Sequence, residues 1–79
     1  MATLLLFGPA RTAAGQRSLQ ITAATVRDLC EEASRRLGPE FSAVLRSAAI
    51  WVNGEPATGE VALKSDDEVA VVPPVSGGA

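Results

Sequence analysis

The sequence predicts an α+β fold, a sheet with one main helix laid across one of its faces. Three observations predict it. Short apolar runs rich in Leu, Val and Ile stop abruptly at glycine and proline pairs, as strands do. The stretch from Val26 to Leu37 spaces its apolar residues by three and four over three turns, as a helix does. Asn53-Gly54 supplies the positive φ angles of a tight turn between extended segments.

The elements follow in order. Thr3 to Phe7 reads as a first strand, closed by Gly8-Pro9. Pro9 to Gly15 is rich in small residues and yields no element. Arg17 to Ile21 alternates Leu19 and Ile21 with polar neighbours, which makes it a second strand and an antiparallel hairpin partner of the first. Thr25, with Asp28 three residues on, approximates a capping box, so a helix starts there. Val26, Leu29, Cys30, Ala33 and Leu37 form its apolar stripe, with Arg27, Glu31, Glu32, Arg35 and Arg36 opposite. Gly38-Pro39 ends it by a left-handed stop and a helix breaker. Pro39 to Arg46 is a shorter amphipathic segment of a helical turn or two, with Phe41, Val44 and Leu45 apolar.

Ala49 to Val52 is a strand by its β-branched and aromatic content, and Glu60 to Leu63 is a weaker apolar segment read as a further, less marked strand. Ser65-Asp66-Asp67 is a polar turn. Glu68 to Val72 is a last strand, ended by Pro73-Pro74 because neither proline can donate to a ladder. A helix with one apolar stripe covers one sheet face, so the other face meets solvent or a partner. With Leu4, Leu6, Val69 and Val71 pointing inward, alternation sends Leu5, Phe7, Ala70 and Val72 to that open face. Trp51 joins them, opposite inward Ile50 and Val52. An exposed apolar patch of this kind marks an interface. In the reverse register Phe7 and Trp51 would be core residues.

Composition narrows the function. A chain of 79 residues builds one modest core, so it does something simple or acts with a partner. The expected division is a single domain over 1–74 and a flexible C-terminal tail over 75–79. Hydrophobic residues make up 47% and aromatics 4%, which requires a core of aliphatic side chains. Seven basic residues spread along the chain against nine acids, net −2, leave no footprint for nucleic acid. The apolar runs fall far short of the roughly 20 residues of a membrane span, and the start lacks a signal-peptide pattern. The expectation is a soluble cytoplasmic protein with no nucleic-acid or membrane partner. A single cysteine, Cys30, and no histidine exclude an internal disulfide, the usual zinc set, and Ser-His or Cys-His catalysis within the chain. Cys30 lies on the apolar stripe, where a free cysteine is more often buried and inert than reactive. Glu31-Glu32 and Asp66-Asp67-Glu68 read as solvated faces and turns. Arg11 and Lys64, the only lysine, are candidate docking charges, although plain surface exposure accounts better for Lys64.

The C-terminal residues are the most informative. Gly77-Gly78 has no side chains to collide with the walls of a narrow channel, and Pro73-Pro74 favours a stiff extended lead-in. The run from Asp66 to Gly78, reading Asp-Asp-Glu-Val-Ala-Val-Val-Pro-Pro-Val-Ser-Gly-Gly, resembles the closing motif of the MoaD/ThiS family of ubiquitin-like sulfur carriers. It is closest to the molybdopterin-synthase small-subunit (MoaD) branch. Phe7-Gly8-Pro9-Ala10-Arg11 and Val52-Asn53-Gly54-Glu55 match two further landmarks in the same order, so the similarity spans essentially the whole chain.

That resemblance implies a β-grasp fold with a mixed sheet, and a carrier cycle. A ubiquitin-activating-type (MoeB-type) enzyme uses ATP to adenylate the terminal glycine carboxylate, and sulfur then replaces AMP to give a thiocarboxylate. A MoaE-type large subunit receives it for molybdopterin synthesis. The chain is not an enzyme on its own and holds no permanent cofactor. The resemblance places the reacting carboxyl on Gly78 with Gly77 as its slender neighbour, and partner contacts on Phe7, Trp51, Val72, Pro73, Pro74 and Val75. Asp66 stands where the family has a turn glycine. Ala79 follows the diglycine, which leaves three alternatives: a peptidase removes it, it is an added residue, or this member carries no sulfur. Carriers serving thiamin, cysteine or tRNA thiolation, modifiers joined to protein lysines, and a binding module with an inert tail are the competing readings.

Overall fold

The computed structural model describes residues 1–73. Five strands and three helices follow in the order β1 (Ala2–Leu6), α1 (Gly8–Ala14), β2 (Ser18–Ile21), α2 (Val26–Leu37), α3 (Pro39–Ser47), β3 (Ala49–Val52), β4 (Glu55–Pro56) and β5 (Glu68–Val72). The sheet order is β2-β1-β5-β3-β4. β1 and β2 pair antiparallel as the sequence predicts, with Leu4 opposite Leu19. β5 lies in the middle, parallel to β1 and antiparallel to β3, so the sheet is mixed.

The helices cover one face. Leu4, Leu6, Ile21, Leu29, Ala33, Phe41, Val69 and Val71 are buried there, and the core is aliphatic apart from Phe41. Each fully buried Leu, Ile or Val contributes about 2 kcal/mol relative to exposure. α2 starts where its cap requires: the Thr25 hydroxyl accepts the Asp28 backbone N–H at 3.2 Å, a contact typically worth about 1 kcal/mol. Its stripe buries Val26, Leu29 and Ala33. On its polar face Glu32 bridges Arg35 and Arg36.

Three local readings are corrected. The small-residue stretch after β1 is a helix, α1, with proline in its first turn and Gly15 (φ 73°) as its C-cap. Seven residues with Ala10 as the one buried side chain leave no stripe to detect, whereas alanine-rich composition favours helix once proline starts it. Gly38 does not stop α2 in the left-handed helical conformation: with φ 97° and ψ −179° it is left-handed in φ and extended in ψ. This region is open only to glycine. It lets the chain reverse at once into α3, whose first residue is Pro39. Glu60 to Leu63 is not a strand of the sheet. Its backbone bonds instead to the entry of α2, Val26 N–H to Val61 O at 3.0 Å and Leu63 N–H to Ala24 O at 2.9 Å, with one bridge between Thr25 and Ala62. The edge partner of β3 is the two-residue β4, reached through Asn53 (φ 51°) and Gly54 (φ 84°).

Asn53 also ties this hairpin to the start of β5. Its amide nitrogen donates to Asp67 Oδ1 at 2.9 Å, and its amide oxygen accepts the Glu68 backbone N–H at 2.9 Å. Asp67 Oδ2 accepts the Lys64 backbone N–H at 2.8 Å. The Lys64 N–H, and after it the Asn53 amide, hold the Asp67 carboxyl below its ordinary value. A carboxylate depressed in the folded state contributes stability above its unfolded pKa and loses that contribution as pH falls through its folded value. Asn53→Ala is expected to lower stability, because it removes two hydrogen bonds and places alanine at a left-handed φ that it resists. Asp67→Asn should flatten the acid limb of the stability profile. Urea unfolding across an acidic pH series measures both.

Candidate functional site

The site is built from the face that the helices leave open and from the point where β5 ends. The alternation places Leu4, Leu6, Val69 and Val71 in the core, with Leu5, Ala70 and Val72 half-buried on the far side. Phe7 is 48% and Trp51 36% exposed, high values for large aromatic side chains in so small a protein. Register sets them in rows. Leu5 pairs with Ala70, which pairs with Trp51 on its other side. One step toward the strand end Val72 pairs with Ala49, next to the end of β1 and Phe7. At the opposite end the same face carries Thr3 paired with Glu68. The face thus runs from polar to apolar in the direction in which β5 travels.

Phe7 owes its position to the transition from β1 to α1. It is the extended N-cap of α1 (φ −129°, ψ 153°) and makes no side-chain cap bond. Gly8 follows with φ 54°, and a Cβ there would lie 3.4 Å from Pro73 Cγ. The close approach of Gly8 to Pro73 fixes where the chain leaves the sheet. Because β1 and β5 are parallel, Phe7, Gly8 and Pro73 all gather at the same end.

Of the sequence-predicted site residues, Phe7, Trp51, Val72 and Pro73 therefore lie on or beside one surface. Pro74, Val75, Gly77 and Gly78, with the expected tail over 75–79, lie outside the described residues. Ala49 was not anticipated, although its register opposite Val72 follows from the pairing of β3 with β5.

Cys30 is elsewhere. It lines an open groove of about 490 Å³ together with Val26, Leu45 and Ile50, on the helical side of the molecule. Burial, and after it the neighbouring Glu31 charge, pushes its thiol pKa up. A thiol so placed is a poor nucleophile. No group of three metal-ligating side chains occurs among the described residues, nor is any of their helices long and apolar enough to cross a membrane.

No curated protein matches the sequence. Solved structures do. Small archaeal modifier protein 1 from Methanosarcina acetivorans is 27% identical, with 98% of this chain and 95% of that one covered and a TM-score of 0.87. The putative molybdopterin converting factor subunit 1 from Pyrococcus furiosus is 28% identical over 94% of this chain and 97% of that one, with a TM-score of 0.79. The complex of subunits 1 and 2 of molybdopterin-converting factor from Helicobacter pylori matches in fold at 24% identity, over 98% and 97% of the two chains, with a TM-score of 0.70. The sequence profile of the ThiS family matches residues 4–78. The chain has the ubiquitin-like β-grasp fold and belongs to the ThiS family, as a sulfur carrier of the ThiS/MoaD type.

Proposed function

We propose that this protein is the sulfur-carrying small subunit of a molybdopterin synthase, working in the cytoplasm and delivering sulfur as a thiocarboxylate on Gly78. The observation that carries the proposal is the arrangement of the open face. Its apolar rows lead to the point where Pro73 departs, so one partner lying on Phe7, Val72 and Trp51 would also receive the residues that follow. The closing run Pro73-Pro74-Val75-Ser76-Gly77-Gly78 supports the molybdopterin branch, as do the names of the Pyrococcus and Helicobacter neighbours.

The chemistry takes place on partners. The Gly78 carboxylate attacks the α-phosphorus of ATP held by a MoeB-type adenylating enzyme, forming an acyl adenylate and releasing pyrophosphate. A sulfur nucleophile then attacks the acyl carbon, and AMP leaves with the electron pair of the broken C–O bond. Gly77 and Gly78 present no Cβ to a narrow channel. Pro73, Pro74 and Val75 are the proposed partner contacts before them in sequence, and a MoaE-type large subunit accepts the loaded end. ATP is thus a substrate of the activating enzyme, and the carrier itself keeps no cofactor. The cycle requires a free carboxyl on Gly78, so Ala79 is either an added residue or is removed by a peptidase.

Intact mass tests this directly. Protein isolated from its own cell is expected to lack Ala79. Incubation with ATP, the adenylating enzyme and a sulfur donor should then add the mass difference between sulfur and oxygen. Retention of Ala79 with no gain would favour a binding module with an inert end. The name of the Methanosarcina neighbour favours a second reading, a modifier joined through Gly78 to protein amines. In that case the mass would appear on other proteins as an isopeptide adduct. Phe7→Ala and Trp51→Ala should each weaken large-subunit binding by about 2 kcal/mol, roughly 30-fold in Kd. Trp51→Ala should also lower the unfolding midpoint, because Trp51 is only 36% exposed and lies between Ala70 and Pro56 in the sheet. Calorimetric titration and urea unfolding separate the two effects.

A further inference from the structure

The nine acids are distributed unevenly. From Met1 to Arg27 there is none; the first is Asp28. That acid-free stretch contains β1, α1 and β2, and it carries Arg11 and Arg17. The fold brings both to one open depression of about 540 Å³ lined by Gly8, Arg11, Thr12, Gly15, Gln16 and Arg17, with no acidic side chain in its wall. Arg11 sits in the last turn of α1, where its carbonyl accepts the Gly15 N–H. Arg17 is fixed by its own carbonyl, which accepts the Leu6 N–H at 2.8 Å at the end of β1. Both side chains are exposed, and neither is in an ion pair among the described residues. Gly8, in the wall of the depression, is the residue that Pro73 approaches. A basic corner therefore adjoins the departure point of the C-terminal segment, in a protein whose net charge is −2.

We infer that Arg11 and Arg17 form a docking collar for the protein that activates Gly78, and that this partner presents an acidic rim around the entrance to its nucleotide site. This rests on the proposed carrier cycle. A net-negative protein with its charge spread evenly would be repelled by an acidic partner from every side. Arg11 and Arg17, outside any ion pair among the described residues and with no acid in the wall between them, make the corner beside Pro73 one favourable approach, the one that brings the C-terminal segment in first. Complementary charge of this kind acts mainly on encounter and therefore on association rate and KM, and salt screens it over about 10 Å at 0.1 M.

The test is pyrophosphate release from ATP by the adenylating enzyme, with carrier ending at Gly78 as the acceptor, at low and high salt. For Arg11→Glu/Arg17→Glu, kcat/KM at low salt is expected to fall about 10- to 100-fold through KM, with kcat retained. The deficit should shrink as salt rises. Arg11→Lys/Arg17→Lys should keep most of the activity. Arg17→Glu alone, which alters no helix, should show part of the loss with an unchanged unfolding midpoint. Wild-type kcat/KM and salt dependence in the double charge reversal would overturn the collar while the carrier cycle stands. So would a loss confined to kcat and insensitive to salt, since the arginines would then be acting on the nucleotide phosphates. If the unaltered carrier releases no pyrophosphate, the carrier cycle itself fails and the collar fails with it.

Discussion

Deletion of Gly78 together with Ala79 is expected to abolish sulfur transfer completely while leaving the fold as it is. The reacting carboxyl in the proposed cycle belongs to Gly78, and no other backbone carboxyl can be placed there without shortening the reach by a residue. Among the described residues the buried core extends from Ala2 to Val71, all of it before the two deleted positions. Substituting Gly78 with valine should have nearly the same effect, because a branched side chain beside the acyl carbon obstructs both a narrow channel and the approach of the sulfur nucleophile. Thiocarboxylate formation followed by mass, alongside the urea midpoint, checks the pair of outcomes. Transfer at the normal rate after deletion would end the carrier proposal.

Phe41→Ala is expected to have the largest effect on stability. Phe41 is fully buried and is the only aromatic in the core, and it is the only buried residue of α3. Large aromatic-to-alanine changes in cores cost about 3 to 5 kcal/mol, against a total stability of about 5 to 15 kcal/mol for a folded domain. A protein of 79 residues has a small core, so this one change should leave it mostly unfolded or close to its midpoint at 37 °C. Circular dichroism during heating measures it. The contrast with Phe7 is instructive, since both are phenylalanines next to a helix start. Phe7 is 48% exposed, and its truncation should be nearly neutral for folding and costly for partner binding.

What the sequence makes legible follows from periodicity. β1, β3 and β5 are apolar runs with firm stops, and α2 has a cap, a stripe and a glycine end. All four emerge within a residue or two of their bounds. The face assignment of Phe7 and Trp51 follows from period-two alternation once Leu4 and Val69 are taken as inward. α1 is hidden because one buried alanine makes no pattern. β4 is hidden because two residues, one of them proline, carry no strand signal. The mixed sheet is not written in any local feature: the parallel pairing of β1 with β5 joins Leu4 to Val69 across most of the chain. The role of Gly78 comes from resemblance alone, since diglycine by itself has no chemistry. Arg17 drew no notice in the sequence because the meaning of its charge depends on a depression that only the fold creates.

The central position of β5 has a mechanical consequence. The strand that ends at Pro73 is held on one side by β1 and on the other by β3, and β1 runs parallel to it from the opposite end of the molecule. Tension applied through the C-terminal residues is therefore directed along the ladders. It loads their hydrogen bonds together in shear and does not peel them one at a time. A partner that draws the end of the chain into a tight channel, and later extracts itself from it, can exert considerable traction on a domain of this size without unravelling it.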